Sequence, residues 1–311
     1  VNLLFTIAEQ YENSEPEKAK QYIIKAGNLS QGLDYKNGML RFYKRMTYVY
    51  AYLSANDSAL FYANKILDHA RQTKDSFNIG VALFNIGERY NFMSDYEQGL
   101  QYSLEGLKIL EGKGHPPQVE ASLYGGLQVT YLMLKQYAKA IEYGKKAEKI
   151  ERELADKNPL TGTLVNLANC YAELGQLQES KKIYKEAVAL SQEFENASLE
   201  GMIYQGLSDL ALKQNQPGEI KYNAEKGLAV ANALNDPFGI MACKQLLSIY
   251  WMYEKEYDKA KQLALEGLKI ADENKFSEPK AQLLQSLATI SFAEQNFEAG
   301  FKYQGESKKI Q

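Results

Sequence analysis

The stretch Tyr96–Leu110, YEQGLQYSLEGLKIL, carries apolar and small residues at the spacing of one face of an α-helix. The same pattern returns 41 residues later and then in steps of 40 residues, at Tyr137, Leu177, Pro217, Tyr257 and Phe297. Towards the amino terminus the 40-residue step continues at Asn56 and Pro16. Eight copies therefore cover the chain, and a fixed period of roughly 20–50 residues indicates stacked structural repeats.

A second helical pattern precedes each copy. In Ala82-Leu83-x-x-Ile86-Gly87-x-x-Tyr90 the apolar residues lie at i, i+1, i+4 and i+8, which places them on one helix face. Similar runs precede the other copies, and short polar turns separate the two patterns. Each repeat is therefore predicted to be a helix-turn-helix hairpin, and the fold to be an all-α solenoid of about eight hairpins.

Small residues recur at fixed points of the second helix. Gly106, Gly227 and Gly267 occupy the same position in three repeats. A glycine inside a helix costs about 1 kcal/mol relative to alanine. We therefore expect the backbone of a neighbouring helix to pack against these glycines.

Composition and charge exclude several classes of protein. The chain has 311 residues, of which 45% are hydrophobic and 24% charged, so it is not a disordered chain. It has no run of about 18 apolar residues, so no membrane-spanning helix is predicted. The formal net charge of −3 argues against a nucleic-acid partner, because such surfaces are normally basic.

The residues that usually carry chemistry are sparse and scattered. His69 and His115 lie 46 residues apart, and Cys170 and Cys243 lie 73 residues apart in different repeats. No metal-binding, nucleophile or phosphate-binding motif accompanies them. We therefore predict that the chain is not an enzyme, binds no metal or cofactor, and forms no disulfide between its two cysteines.

The repeats resemble tetratricopeptide repeats, which have small residues at two points of the second helix and an aromatic residue just after the turn. The clearest copies are Leu83-x-x-Ile86-Gly87-x-x-Tyr90 with Tyr96-x-x-Gly99, and Leu164-x-x-Leu167-Ala168-x-x-Tyr171. The resemblance covers essentially the whole chain, but the commonest form of the family repeats every 34 residues. The 40-residue variant is similar to repeats of bacterial peptide-sensing regulators and of sensory regions joined to histidine kinases or transcriptional output domains.

The resemblance implies a single right-handed superhelical domain spanning 1–311. The approximate repeats are 1–34, 35–75, 76–115, 116–156, 157–196, 197–236, 237–276 and 277–311. The single 41-residue step places one extra residue in the connector 112–117, which is either a longer loop or a hinge.

In this family the first helices line a concave groove, so the non-core residues of those helices are the candidate partner-binding residues. They are Arg41, Lys44, Tyr48, Tyr52, Phe84, Glu88, Asn91, Phe92, Met133, Asn169 and Tyr253. Their aromatic and apolar members are of the kind that marks partner sites. The alternative is that tight curvature buries these side chains against adjacent repeats.

The polar members of this set suggest how a peptide is held. Asn91 and Asn169 are expected to hydrogen-bond an extended backbone, and Arg41 with Lys44 to bind a carboxylate. We therefore expect the partner to be a protein or peptide.

Two functions are consistent with this pattern. The first is the sensory or ligand-recognition region of a larger bacterial signalling or transcription-regulating protein. The alternative is a constitutive assembly scaffold or oligomerisation module. The region would be periplasmic if it belongs to a membrane-anchored regulator and cytoplasmic otherwise.

The last helix is apolar where a solenoid usually has a polar capping helix. Phe297, Phe301, Tyr303 and Ile310 all fall in it. We expect this face to be covered by a homodimer partner or by a further domain, such as a kinase or DNA-binding domain following Gln311.

Overall fold

The structure is a computed structural model that describes residues 1–12, 14–112, 114–193 and 196–310. Sixteen α-helices and no strand occur within these residues. The chain divides into two compact units, Val1–Leu154 (unit 1) and Ala155–Gln311 (unit 2). Each unit contains eight helices.

The helices follow one another as antiparallel hairpins joined by short turns. In unit 1 they are α1 (Asn2–Tyr11), α2 (Pro16–Gly32), α3 (Lys36–Tyr52), α4 (Asn56–Gln72), α5 (Ser76–Phe92), α6 (Tyr96–Leu110), α7 (Pro117–Met133) and α8 (Tyr137–Glu153). In unit 2 they are α9 (Lys157–Glu173), α10 (Leu177–Glu193), α11 (Ala197–Lys213), α12 (Pro217–Leu234), α13 (Pro237–Tyr253), α14 (Tyr257–Glu273), α15 (Ser277–Ala293) and α16 (Phe297–Lys308).

Most of the turns share one backbone form. Ser54 has a φ of 56°, and the N–H of the next residue, Ala55, donates to the Tyr50 carbonyl at 2.9 Å. A left-handed residue followed by this hydrogen bond is the Schellman ending of a helix. Glycine fits the left-handed position best, yet lysine takes it at Lys255, with a φ of 61°, whereas Gly175 takes it after α9.

Stacked tyrosines fill the space between the two helices of each hairpin in unit 1. The ring centroids are 5.4–6.1 Å apart and the rings are nearly parallel. The pairs are Tyr11–Tyr22, Tyr50–Tyr62, Tyr90–Tyr102 and Tyr131–Tyr143. Because one ring comes from each helix, every pair fixes the spacing and register of its hairpin.

The conserved position of glycine in the second helices has two explanations. A Cβ at Gly106 would lie 2.7 Å from the backbone oxygen of Gly80, so here a neighbouring backbone does exclude a side chain. At Gly227 the nearest atom is instead the Cys243 sulfur at 3.0 Å, and at Gly267 it is the Leu283 side chain at 3.1 Å. The prediction of backbone contact is therefore confirmed at Gly106 and wrong at the other two, where side chains fill the space.

The predicted fold class, an all-α solenoid of helix-turn-helix repeats, is confirmed. The single continuous domain stays a prediction. The connector 112–117 includes Lys113, so the choice between loop and hinge lies outside the described residues. Cys170 and Cys243 are both free and buried, as predicted. In the described part of the chain, every helix is too short or too polar to cross a membrane.

Candidate functional site

A cavity of about 440 Å³ opens in unit 1 between the last turns of α5 and α7. We call this cavity the slot. It is lined by Glu88, Asn91, Phe92, Tyr96, Gly125, Gly126, Val129 and Met133. Four of these residues occupy equivalent positions of successive repeats, because Val129 follows Glu88, and Met133 follows Phe92, by one 41-residue step.

The rim of the slot is apolar and exposed. Phe92 is 67% exposed and Met133 is 49% exposed. The guanidinium carbon of Arg89 lies 4.5 Å from the centroid of the Phe92 ring, so a cation covers part of that ring. A large apolar side chain left this exposed is available to a partner.

The floor of the slot depends on two adjacent glycines. A Cβ at Gly125 would meet nothing within 4 Å, so the missing side chain leaves open space there. A Cβ at Gly126 would lie 2.6 Å from the ring of Phe84. That ring is only 9% exposed, so Phe84 lies beneath the slot and supports α7 instead of facing a partner.

Glu88 supplies the one acidic group in the lining. Its side chain is half-buried, and loss of solvent raises the pKa of its carboxyl, an effect that the nearby charge of Arg89 partly offsets. A carboxylate with poor access to water attracts a hydrogen-bond donor or a cation. The slot therefore combines an apolar chamber with a polar group that gains from pairing.

Asn91 serves the structure of the slot. Its Nδ2 donates to the Thr130 hydroxyl at 2.7 Å, and that hydroxyl donates to the Gly126 carbonyl at 2.9 Å. Its Oδ1 is buried against Gly99, where any Cβ would collide with it. The amide is therefore taken up within the protein, contrary to the expectation that it binds a peptide backbone.

The predicted residues of α3 lie outside the slot. Arg41 donates to Glu9 at 2.6 Å, so its charge is matched within the chain and the expectation that it binds a partner's carboxylate is not supported. Lys44 donates to the Asn78 side chain at 2.9 Å. Tyr48 and Tyr52 are 45% and 52% exposed on the same helix.

Two predicted residues belong to unit 2. Asn169, on α9, accepts a hydrogen bond from the Tyr184 hydroxyl through its Oδ1. Tyr253, in the last turn of α13, is 45% exposed. The structure thus brings Glu88, Phe92 and Met133 together in the slot.

The sequence prediction missed the glycine floor and Tyr184. One signal for the floor was present, since Gly125 stands one 41-residue step after Phe84, where a large side chain is replaced by none. A similar signal marks Tyr184, because a Cβ at Gly206 would lie 2.1 Å from its hydroxyl. No group of three or more His, Cys, Asp or Glu residues suited to a metal occurs in the described ranges.

Comparison with known proteins agrees with the repeat architecture. Residues 160–233 match the family model for the tetratricopeptide repeat. The regulatory protein RapK of Bacillus subtilis (strain 168) is 26% identical over 227 residues, which form 70% of this chain and 58% of RapK. The chain therefore spans less than two thirds of the length of that relative.

Two crystal structures share the fold at low sequence identity. Aspartyl phosphate phosphatase F from Bacillus subtilis matches with a TM-score of 0.72 and 16% identity, over 99% of this chain and 80% of that one. A Rap protein complexed with Competence and Sporulation Factor matches with a TM-score of 0.68 and 11% identity, over 99% and 96%. One of these structures is named a phosphatase, so the absence of catalysis stays a prediction. The resemblance found in the sequence is confirmed: this chain is a tetratricopeptide-repeat solenoid similar to bacterial regulatory proteins of that fold.

Proposed function

We propose that unit 1 recognises a peptide or a segment of another protein, and that the slot receives one apolar side chain of that partner. The observation that carries the proposal is the exposed pair Phe92 and Met133 above a floor that has no side chain at Gly125. Large apolar side chains that close over an anchor residue commonly supply most of the binding energy of an interface.

Glu88 narrows the chemistry of the partner. Its carboxylate borders the apolar chamber and has limited access to water. A partner that placed a hydrogen-bond donor or a cation beside its apolar side chain would restore the lost hydration. We therefore expect the favoured segment to combine an apolar anchor with an adjacent polar donor, such as a lysine or arginine.

The lining favours binding over phosphoryl chemistry. Lys, Arg and His are absent from the described residues that line the slot, and Glu88 would repel an anionic group. Stabilising a transferring phosphoryl group normally needs cations or a metal ion. We therefore propose a non-catalytic role for this site, although a structure of the same fold is named a phosphatase.

The setting we propose is the sensory or ligand-recognition region of a larger bacterial signalling or transcription-regulating protein. RapK is named a regulatory protein, and a Rap protein of this fold has been crystallised with Competence and Sporulation Factor. Those names support a regulatory role for the solenoid. The net charge of −3 supports a protein or peptide partner in preference to a nucleic acid.

The test is to select binders from a phage-displayed library of short random peptides and to compare two leucine variants. Gly125→Leu fills the slot, and because a Cβ there meets nothing, the helix is not disturbed. Gly305→Leu is the matched control, since Gly305 is also a helical glycine with open space around it. Selected peptides should bind the wild type and Gly305→Leu but not Gly125→Leu. Binding that survives in Gly125→Leu would show that the slot is not the site.

A second candidate function is self-assembly through α16. Phe297 and Phe301 are 60% and 65% exposed on that helix. If they form a dimer contact, light scattering should give twice the mass of one chain, and Phe301→Ser should restore the mass of one chain. A wild-type mass of one chain at concentrations of about 0.1 mM would remove this candidate.

A further inference from the structure

A second cavity, of about 380 Å³, lies in unit 2 among α9, α11, α12 and α13. We call it the unit 2 cavity. Its volume is within the usual range for a small-molecule site, roughly 300–1,000 Å³. It shares no lining residue with the slot in unit 1.

Most of the unit 2 cavity is apolar. Val165 is buried in its wall at 3% exposure, and Val230 also lines it. At the rim, Met202 is 53% exposed, Leu234 46% and Phe238 47%. This part of the cavity suits one aliphatic or aromatic side chain, which would cover the exposed rim residues.

One polar group of the cavity is held in a fixed orientation. The hydroxyl of Tyr184, a residue with only 1% exposure, donates to Oδ1 of Asn169. Gly206 makes this possible, because a Cβ there would lie 2.1 Å from the Tyr184 hydroxyl. The bond leaves the Nδ2 group of Asn169 as the hydrogen-bond donor that remains for a ligand.

Asp209 supplies the charge. It follows Asn169 by one 40-residue step and so occupies the same position of the next repeat. Lys213 makes its ion pair with Glu173, at 3.1 Å, and not with Asp209. The crowding of protein around Asp209 raises the pKa of its carboxyl to about 6, with Glu173 adding to the rise and Lys213 opposing it.

The charge of the lining also restricts the ligand. Besides Asp209, the described lining contains Asp236, whose Oδ1 accepts the Phe238 N–H, and it contains no Lys, Arg or His. A ligand with its own carboxylate would therefore meet negative charge and no cation. A cationic hydrogen-bond donor would instead pair with Asp209, and a neighbouring carbonyl could accept from Asn169.

We propose that the unit 2 cavity binds a primary ammonium group that is attached next to an apolar side chain and has no neighbouring carboxylate. The ammonium lies against Asp209, the Asn169 amide donates to a carbonyl beside it, and the apolar side chain fills the chamber behind Met202 and Phe238. This chemistry occurs at the amino terminus of a peptide and in small aliphatic amines.

Isothermal titration calorimetry tests the proposal with defined probes. L-Leucinamide, isopentylamine and the peptide Leu-Ala-Ala-amide each carry the ammonium, and their N-acetyl forms have the same apolar group without it. The free amines should bind with an affinity about tenfold or more above that of the acetylated forms, because the charge-assisted hydrogen bonds are lost on acetylation. Equal affinity for the free and acetylated forms, or no heat from any free amine at about 10 mM, would overturn the proposal.

The three probes also separate the two sources. If Leu-Ala-Ala-amide binds about tenfold or more tightly than isopentylamine, a peptide amino terminus is the ligand, because a carbonyl next to the ammonium contributes. If isopentylamine binds as well as the peptide, a small amine is the ligand. L-Leucine, which carries a carboxylate, should bind more weakly than L-leucinamide, and the reverse order would contradict the charge argument.

Variants assign the binding to Asp209. Asp209→Asn should weaken L-leucinamide binding by about tenfold or more, whereas Asp258→Asn, which changes an exposed aspartate of α14, should have no effect. Gly125→Leu in unit 1 should also have no effect, so a failure of the slot would not be confused with a failure of this site. Unchanged affinity in Asp209→Asn would overturn the assignment.

Discussion

The amide nitrogen of Asn91, on α5, lies 2.7 Å from the hydroxyl oxygen of Thr130, on α7. The two residues are 39 positions apart, and their hydrogen bond joins the helices that form the slot. Because Thr130 also donates to the Gly126 carbonyl at 2.9 Å, the bond extends to the glycine floor. Asn91 therefore sets the width of the slot.

Replacing Thr130 with valine should destabilise unit 1. The change keeps the shape of the side chain but removes the acceptor for the Asn91 amide, and both groups are shielded from solvent. Leaving a buried donor without a partner costs about 1–3 kcal/mol. The midpoint of urea unfolding should fall by the corresponding amount.

Thr289→Val is the control for this change. The Thr289 hydroxyl donates to the Gln285 carbonyl at 2.9 Å within α15 and is exposed, so it has the same bond within its helix without a donor from another helix. The unfolding free energy of this variant should change by no more than about 0.5 kcal/mol. Equal effects of the two variants would show that the Asn91 bond contributes nothing.

Alanine at the two adjacent glycines of the slot should change stability in opposite directions. Gly125→Ala adds a methyl group to open space and should stabilise α7 by up to about 1 kcal/mol, the difference in helix propensity. Gly126→Ala forces the buried Phe84 ring to move and should destabilise the protein by about 1–3 kcal/mol. Urea unfolding measures both, and a shift of the same sign in the two variants would contradict the packing described here.

The sequence predicts the helix pairs well because the information is local. The recurring starts Tyr96, Tyr137, Leu177 and Phe297 are the first residues of α6, α8, α10 and α16. Hydrophobic periodicity and a polar turn lie within about 20 residues of each start, so no long-range contact is needed to find it.

The site is predicted less well because its details depend on residues a whole repeat away. Glu88, Phe92 and Met133 were found, since they share the faces that the repeat pattern defines. Asn91 was given a partner-binding role because its bond to Thr130 crosses between repeats and leaves no local mark. Phe84 was expected to be exposed for the same reason, since the glycine that covers its ring lies in α7.

The left-handed turn residues offer a test of the backbone. Lys255→Gly should stabilise unit 2 by about 1 kcal/mol, because glycine takes a φ of 61° without the clash of a side chain. Gly175→Ala should destabilise it by a similar amount, because Gly175 has a φ of 75°. Thermal unfolding followed by circular dichroism should therefore show a higher Tm for the first variant and a lower Tm for the second. Two changes in the same direction would contradict this reading of the turns.

Asp209→Asn should stabilise unit 2 at neutral and alkaline pH but much less in acid. Crowding raises the pKa of Asp209 from its ordinary value of 3.8 to about 6 in the folded protein. Between these values the folded state binds more protons than the unfolded state, so the free energy of unfolding falls as the pH rises through this window. Above about pH 6 the full penalty of the ionised carboxylate is present, and the amide removes it.

The measurement is the urea midpoint of both proteins at pH 8, 6 and 4.5. The advantage of Asp209→Asn should be largest at pH 8 and should shrink steadily towards pH 4.5, where the wild-type side chain is mostly protonated in the folded state. Because the side chain still reaches solvent, the gain is smaller than full burial would give. Asp258→Asn, at an exposed position, should show no such trend. A difference between wild type and Asp209→Asn that stays constant with pH would mean that Asp209 titrates alike in the folded and unfolded chain.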